Sequence, residues 1–189
     1  MKFIVIDGLD GCGKDTQSKL IKNKYESQGK KVTIRSHPTK DNKWGISSKK
    51  CLLKTGKINH IKATIYYIFD ILRSLQIYYN DKVDVLIFVR YSLAVAYVPY
   101  PLGEYLYKII CLLLPTSEYM FFIDVEPEEL MNRLVERGEN LEMFENINSL
   151  KETQYKAKKV TFNWNVIDGN QSIDTIHNII SNILNNSFK

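Results

Sequence analysis

A chain of 189 residues with a formal charge of +5, 44% hydrophobic and 12% aromatic residues suits one packed domain and excludes a disordered segment. The charge is modest, and the lysines around 49–57 form no Arg/Lys stripe with interleaved aromatics, so they read as a solvated face and nucleic acid is not an expected partner. Cys12, Cys51 and Cys111 are widely spaced, and His37, His60 and His177 are scattered, so no zinc-ligand pattern forms. The odd cysteine count fits a reducing compartment. The first apolar run ends at Asp7-Gly8 without the form of a signal peptide, and the lipophilic segment 106–114 is too short to span a bilayer. These features predict a cytoplasmic protein without a membrane partner.

In chain order, residues 2–7 predict a buried strand. Gly8-Leu9-Asp10-Gly11-Cys12-Gly13-Lys14-Asp15-Thr16 follows, and then a helix over about 15–28 with Gly29 beyond its end. Strand, glycine loop, lysine and helix make a phosphate-binding loop. Glycines let backbone N–H groups converge on a phosphate, the helix N-terminus aims positive charge at it, and Lys14 adds a mobile cation. Cys12 inside the loop is either a reactive thiol or a small filler. Thr16 stands one place late for the hydroxyl that usually follows the lysine, and Asp15 occupies that place.

A second strand is expected at 32–34, then a turn-rich loop over 36–45 and a short helix over 46–54 ended by Gly56. Apolar residues at 61, 65, 68, 72, 75 and 79 predict a long amphipathic helix. The unbroken run Val85-Leu86-Ile87-Phe88-Val89 predicts a parallel strand buried on both faces. A loop with Pro99 and Pro101 leads to an apolar helix ending at Leu114. A strand over 119–125 follows, then a helix opened by Pro127, Glu128 and Glu129 that ends near Gly138. Residues 138–146 read as a polar lid, 147–160 as a charged helix, 166–167 as the last strand and 168–171 as a turn before a final helix. The whole predicts a single α/β domain over 1–189: a five-stranded parallel sheet with helices on both faces, three layers, and a small lid. Ligands belong beyond the carboxyl ends of its strands.

With these residues placed, the chain resembles the thymidylate kinase family of P-loop nucleoside monophosphate kinases. The resemblance rests on Asp7-Gly8-Leu9-Asp10-Gly11-x-Gly13-Lys14-x-Thr16-Gln17, Phe69-x3-Arg73 and Arg90-Tyr91. Phe121-Phe122-Ile123-Asp124-Val125-x-Pro127-Glu128-Glu129, Arg133-x3-Arg137-Gly138, Phe144-Glu145-Asn146 and Val166-Ile167-Asp168-Gly169 extend it almost end to end. It implies phosphoryl transfer from ATP, with Mg²⁺, to dTMP. By motif, residues Gly8 to Thr16 with Arg137, Asp168 and Gly169 would hold ATP. Asp10, Pro38, Phe69, Arg73, Arg90 and Tyr97 would hold dTMP. Phe69 would stack on the base, Arg73 would bond its edge, Arg90 would grip the acceptor phosphate, and Asp10 would face the sugar. On its residues alone, Asp10 equally suits a cap of its own loop. Lys14, Arg90, Arg133, Arg137 and Asp10 are the catalytic candidates.

Three departures bear on mechanism. Asp15 replaces the hydroxyl that binds magnesium, and Val89 replaces the strand-end carboxylate of the family's Asp-Arg-Tyr. We read these as one exchange, with Asp15 as the metal-side carboxylate; a simple helix-capping role is the alternative. Gly11 and Met143 fill the two places where the family carries a phosphoryl-stabilising arginine, so Arg133 and Arg137, with Lys151 behind them, are the substitutes to test. Ser36 stands where an arginine precedes the loop proline, and Tyr97 lies one residue short of its expected spacing from Arg90. A kinase for another nucleoside monophosphate or nucleoside, and an ATP-binding regulator with lost catalysis, remain open. The long helix at 61–79 and the apolar helix before 114 either cover the sheet or form a homodimer face.

Overall fold

The computed structural model describes residues 1–54, 56–80, 82–98, 102–137 and 146–186. Five strands, β1 (Lys2–Asp7), β2 (Val32–Ser36), β3 (Val85–Val89), β4 (Met120–Asp124) and β5 (Asn165–Asp168), form one parallel sheet in the order β2-β3-β1-β4-β5. The register pairs Ile6 with both Val89 and Phe121, and Ser36 with Val89, so β1, β2 and β3 end side by side. Every residue of β3 is buried, as its unbroken apolar run requires of a central parallel strand.

The helices are α1 (Lys14–Glu26), α2 (Lys43–Leu52), α3 (Lys57–Tyr78), α4 (Leu102–Leu113), α5 (Pro127–Arg137), α6 (Ile147–Val160) and α7 (Ile173–Asn186). α1 packs on α7 and on the sheet, α2 pairs with α3, and α4 and α5 pack on α6, so helices cover both faces. A 3-10 helix over Leu93–Tyr97, absent from the sequence expectation, follows β3. Two helices begin earlier than their patterns predict. α2 starts at Lys43 because the Asn42 side chain accepts from the N–H groups of Trp44 and Gly45, which satisfies two end donors. α3 starts directly after Gly56.

α3 also turns its predicted stripe outward. Ile61, Ile65, Ile68, Leu72 and Tyr79 are exposed, whereas Ala63, Tyr67, Asp70, Ile71 and Ser74 are buried. Polar side chains on the inner face are tolerated because each finds a partner there, so hydrophobic periodicity alone points to the wrong side. Among the described residues, no helix is long and apolar enough to cross a membrane.

Candidate active site

β1 ends at Asp7, whose buried carboxylate accepts from the N–H groups of Gly8 (2.9 Å), Tyr91 (2.9 Å) and Leu93 (3.2 Å). It ties the start of the phosphate loop to the segment after β3. Burial pushes the Asp7 pKa up against these three bonds. A Cβ on Gly8 would meet Cys12 Sγ and the Ile123 carbonyl at 2.7 Å, so only glycine lets the loop lie this close to β4. Gly13, at φ +91°, turns the chain into α1. Lys14 is 2% exposed and donates to the Leu9 carbonyl at 2.8 Å. Cys12 is buried too, and burial pushes its thiol up, which favours the filler role over the reactive one.

Asp10 joins the two halves of the site. Its Oδ1 lies 3.0 Å from Lys14 Nζ, 2.6 Å from Arg90 Nη2 and 3.2 Å from Arg90 Nε. Burial opposes its charge, but Lys14 and Arg90 outweigh burial and hold the carboxyl well below the usual range. Arg90 follows β3 with φ 58°, the left-handed region, which costs a non-glycine residue roughly 1–2 kcal/mol. Its remaining Nη1 reaches Ser36 Oγ at 3.3 Å and Asp15 Oδ2 at 3.4 Å, and Ser36 Oγ donates to Asp15 Oδ1 at 3.0 Å. Asp15 therefore stands over the joined ends of β2 and β3, where the buried Val89 offers no carboxylate. Beside this cluster opens a cleft of about 1040 Å³. It is walled by the phosphate loop, the 36–40 loop, α2, α3, the 3-10 helix and α6. Pro38, Arg90 and Tyr97 line it with Asp10 and Asp15.

A fixed phosphate loop facing a strand-end arginine across one carboxylate suits the holding of two anionic groups side by side. Residues 6–180 match the model of the thymidylate kinase family. The chain belongs to the thymidylate kinase family. It is an ATP-dependent nucleotide kinase of the P-loop fold. It is 26% identical to a probable thymidylate kinase of Thermococcus kodakarensis, with 94% of each chain covered. It is 28% identical to a thymidylate kinase of Prochlorococcus marinus over 99% of this chain and 97% of that one. Among solved structures, a thymidylate kinase from Candida albicans superposes with a TM-score of 0.78 at 18% identity, covering 98% of this chain and 92% of its own. A deoxyadenosine kinase from M. mycoides with bound dATP gives a TM-score of 0.71 at 18% identity, covering 97% and 99%. These last two likenesses are of fold.

Within this thymidylate kinase fold, not every motif residue reaches the cleft. Phe69 and Arg73 are not among the residues that line it. Phe69 is 45% exposed and stacks on Trp44 with centroids 5.0 Å apart. Arg73 is half-buried, and its Nη1 has no hydrogen-bond partner. The reason is helical phase. Ala63, Thr64 and Tyr67 form the wall on α3, and Phe69 lies two residues, about 200°, round from Tyr67. The stripe at 61, 65, 68 and 72 points to the opposite face, so the sequence signal for Tyr67 is only its aromatic ring one turn after Ala63.

The wall behind the 36–42 loop is polar and closed. Asp70 accepts from Thr39 N (2.7 Å), Thr39 Oγ1 (2.6 Å) and Asn42 Nδ2 (2.6 Å). Arg35 forms a paired contact with Asp41 at 2.7 and 3.0 Å, and Ser74 bonds His37 Nε2 at 3.0 Å. The His37–Pro38 bond is cis.

On the donor side, the Arg133 guanidinium is engaged by Glu129 Oε1 (2.7 Å), the Gly169 carbonyl (3.3 Å) and the Gly11 carbonyl (3.5 Å). It straps the phosphate loop to the turn after β5. Asp168 caps that turn; the Asn170 N–H at 3.0 Å is the first of the bonds that hold its carboxyl low. Gly169 N donates to the Asp124 carbonyl. Lys151 is paired with Glu128 at 2.6 Å. Leu9, Gly11 and Thr16 keep their places in the loop and the first turn of α1. The lid residues 138–145, with Met143, lie outside the described residues, as does the Arg137 side chain.

Proposed function

We propose that this kinase transfers the terminal phosphoryl group of Mg-ATP to dTMP, giving dTDP and ADP. The observation that supports this is the sharing of Asp10 by Lys14 and Arg90. A protein that only bound ATP would have no use for a second cation facing the phosphate loop across a cleft. The acceptor phosphate is already a nucleophile, so no general base is required, and positioning with charge neutralisation carries the rate. Lys14 and the backbone N–H groups of residues 11–16 hold the donor phosphates. Arg90 grips the acceptor phosphate once substrate displaces Asp10 from its guanidinium. Pro38 and Tyr97 border the acceptor, while Asp168, Gly169 and Arg137 border the adenine. With Arg133 engaged by its own chain, Arg137 is the favoured cation for the transferred group.

Mg²⁺, when bound, neutralises the charge on the donor phosphates. The donor set fits it: the Asp15 carboxylate with the Ser36 hydroxyl supplies hard oxygen ligands, and Mg²⁺ needs only one or two from the protein. Asp15→Ser is expected to raise the Mg²⁺ concentration needed for half-maximal turnover severalfold while ATP binding without metal stays intact. The N-cap of α1 is Gly13, with no side-chain capping bond, so an unchanged Mg²⁺ dependence would leave Asp15 only as the partner of Ser36 and Arg90.

A second reading has its own support. Phe69 and Arg73 do not line the cleft, so the cleft wall itself does not select thymine, and another nucleoside monophosphate or a nucleoside is a second candidate acceptor. ADP release from Mg-ATP, measured with dTMP, dUMP, other monophosphates, thymidine and no acceptor, separates the readings. Stimulation by dTMP is expected. Stimulation by another acceptor alone moves the substrate, and none with ATP still bound leaves an ATP-binding regulator. The exposed apolar stripe of α3 supports a homodimer, which light scattering in solution would read as a doubled mass.

A further inference from the structure

Arg90 is the one non-glycine residue with positive φ among those described. Both peptide planes beside its Cα are pinned. The Arg90 N–H donates to the Ile6 carbonyl at 3.2 Å, which fixes the plane before it. In the plane after it, the Tyr91 N–H donates to Asp7 at 2.9 Å and the Arg90 carbonyl accepts from the Tyr67 hydroxyl at 2.6 Å. An L-residue leaves the left-handed region for the extended one by rotating these planes, so the contacts that hold them oppose that escape. Asp7 and Ile6 belong to β1 and serve the sheet as well. Tyr67 comes from α3, is 8% exposed, and reaches across the cleft wall to this carbonyl. Burial pushes its phenol well above the ordinary range, so the hydroxyl keeps its proton to donate.

We infer that Tyr67 is a positioning residue for the acceptor-phosphate grip: its hydroxyl holds the Arg90 carbonyl and with it the strained backbone that aims the guanidinium. This rests on the reading of Arg90 as the group that binds the acceptor phosphate. The ring itself forms part of the wall where a base or sugar can lie, and Tyr67→Phe keeps the ring and removes only the hydroxyl.

The test is calorimetric binding of dTMP, thymidine and ATP to the full chain and to Tyr67→Phe, with each variant's melting temperature recorded. Loss of one buried hydrogen bond is expected to weaken dTMP about fivefold to tenfold and to leave thymidine and ATP unchanged. Equal losses for dTMP and thymidine would assign the hydroxyl to the base or sugar and overturn the inference. So would no loss for either. Failure of the parent chain to bind dTMP or any other monophosphate would instead strike the Arg90 reading itself. A second measurement guards against a general softening of the fold. In an Arg90→Ala background, Tyr67→Phe is expected to cost the monophosphate nothing further, whereas a repeated full loss would show that it acts independently of Arg90.

Discussion

The donor side and the acceptor side of this cleft are built in opposite ways. The phosphate loop of the donor side is local: residues 7 to 16 make the strand end, loop and first helical turn, and Lys14 bonds to residues four and five places away. The acceptor side is assembled over long range. The loop at 36–42 is held by Asp70 and Ser74 on α3, Arg90 is held by Tyr67, and the helix that holds them mixes these polar residues with Ala63, Tyr67 and Ile71 on its inner face. Local assembly leaves a signature in spacing, whereas assembly through buried hydrogen bonds leaves scattered polar residues.

This contrast can be broken at either end. The largest effect belongs to Lys14→Ala. It removes the cation proposed to hold the donor phosphates and leaves Asp10 with Arg90 alone. Turnover should fall on the order of 10²–10³, the scale of losing one transition-state donor, while acceptor binding changes little. Steady-state rates beside acceptor titrations check this. An equal collapse of acceptor binding would mean that Asp10 cannot hold Arg90 without Lys14, and the two sides are not separable.

Asp70→Asn sits on the other side. The amide can accept at one oxygen only, and its N–H₂ faces Thr39 and Asn42 donors that need an acceptor. Leaving such groups unpaired costs about 2 kcal/mol, or roughly 6 °C in melting temperature for a chain of this size. The acceptor KM should rise with ATP affinity intact, because the 36–42 loop carries Pro38 and Ser36. Calorimetric titration of ATP and the KM for acceptor decide it; a matching loss of ATP affinity would erase the distinction.

What could be read in the sequence follows the same division. The five strands, their parallel order of burial, the phosphate loop and Arg90 at a strand end all carry contiguous signals, and the structure has them in those places. The start of α2 lies earlier than its pattern predicts because Asn42 acts through its side chain, which no hydrophobic pattern registers. Phe69-x3-Arg73 matches a motif by spacing, whereas the face of α3 that lines the cleft carries Ala63, Thr64 and Tyr67. Spacing identifies which residues share a helical face; which face points inward depends on partners far away in the chain, Thr39, Asn42 and His37 here.

The smallest effect sharpens the comparison through pH, because the acceptor loop contains a buried histidine and the donor loop does not. Burial, helped by Arg35 nearby and in spite of Asp70, lowers the His37 pKa to about 4, so the folded chain keeps the ring neutral. The unfolded chain protonates it near 6.5, and between these values the unfolded state binds the extra proton. Stability from this group is therefore complete above pH 6.5 and is lost as pH falls toward 4, by about 2 kcal/mol between pH 7.5 and pH 5. Asp10 and Asp41 are both held low and act in the same direction only at lower pH, below the ordinary carboxylate range. Urea midpoints at pH 7.5 and pH 5 measure the drop, and His37→Gln, neutral at both, should show a smaller one. Equal drops in parent and variant would move the pH sensitivity away from the 36–42 loop. A smaller drop in the variant would assign that share of the acid sensitivity to His37, in the loop that borders the proposed acceptor site.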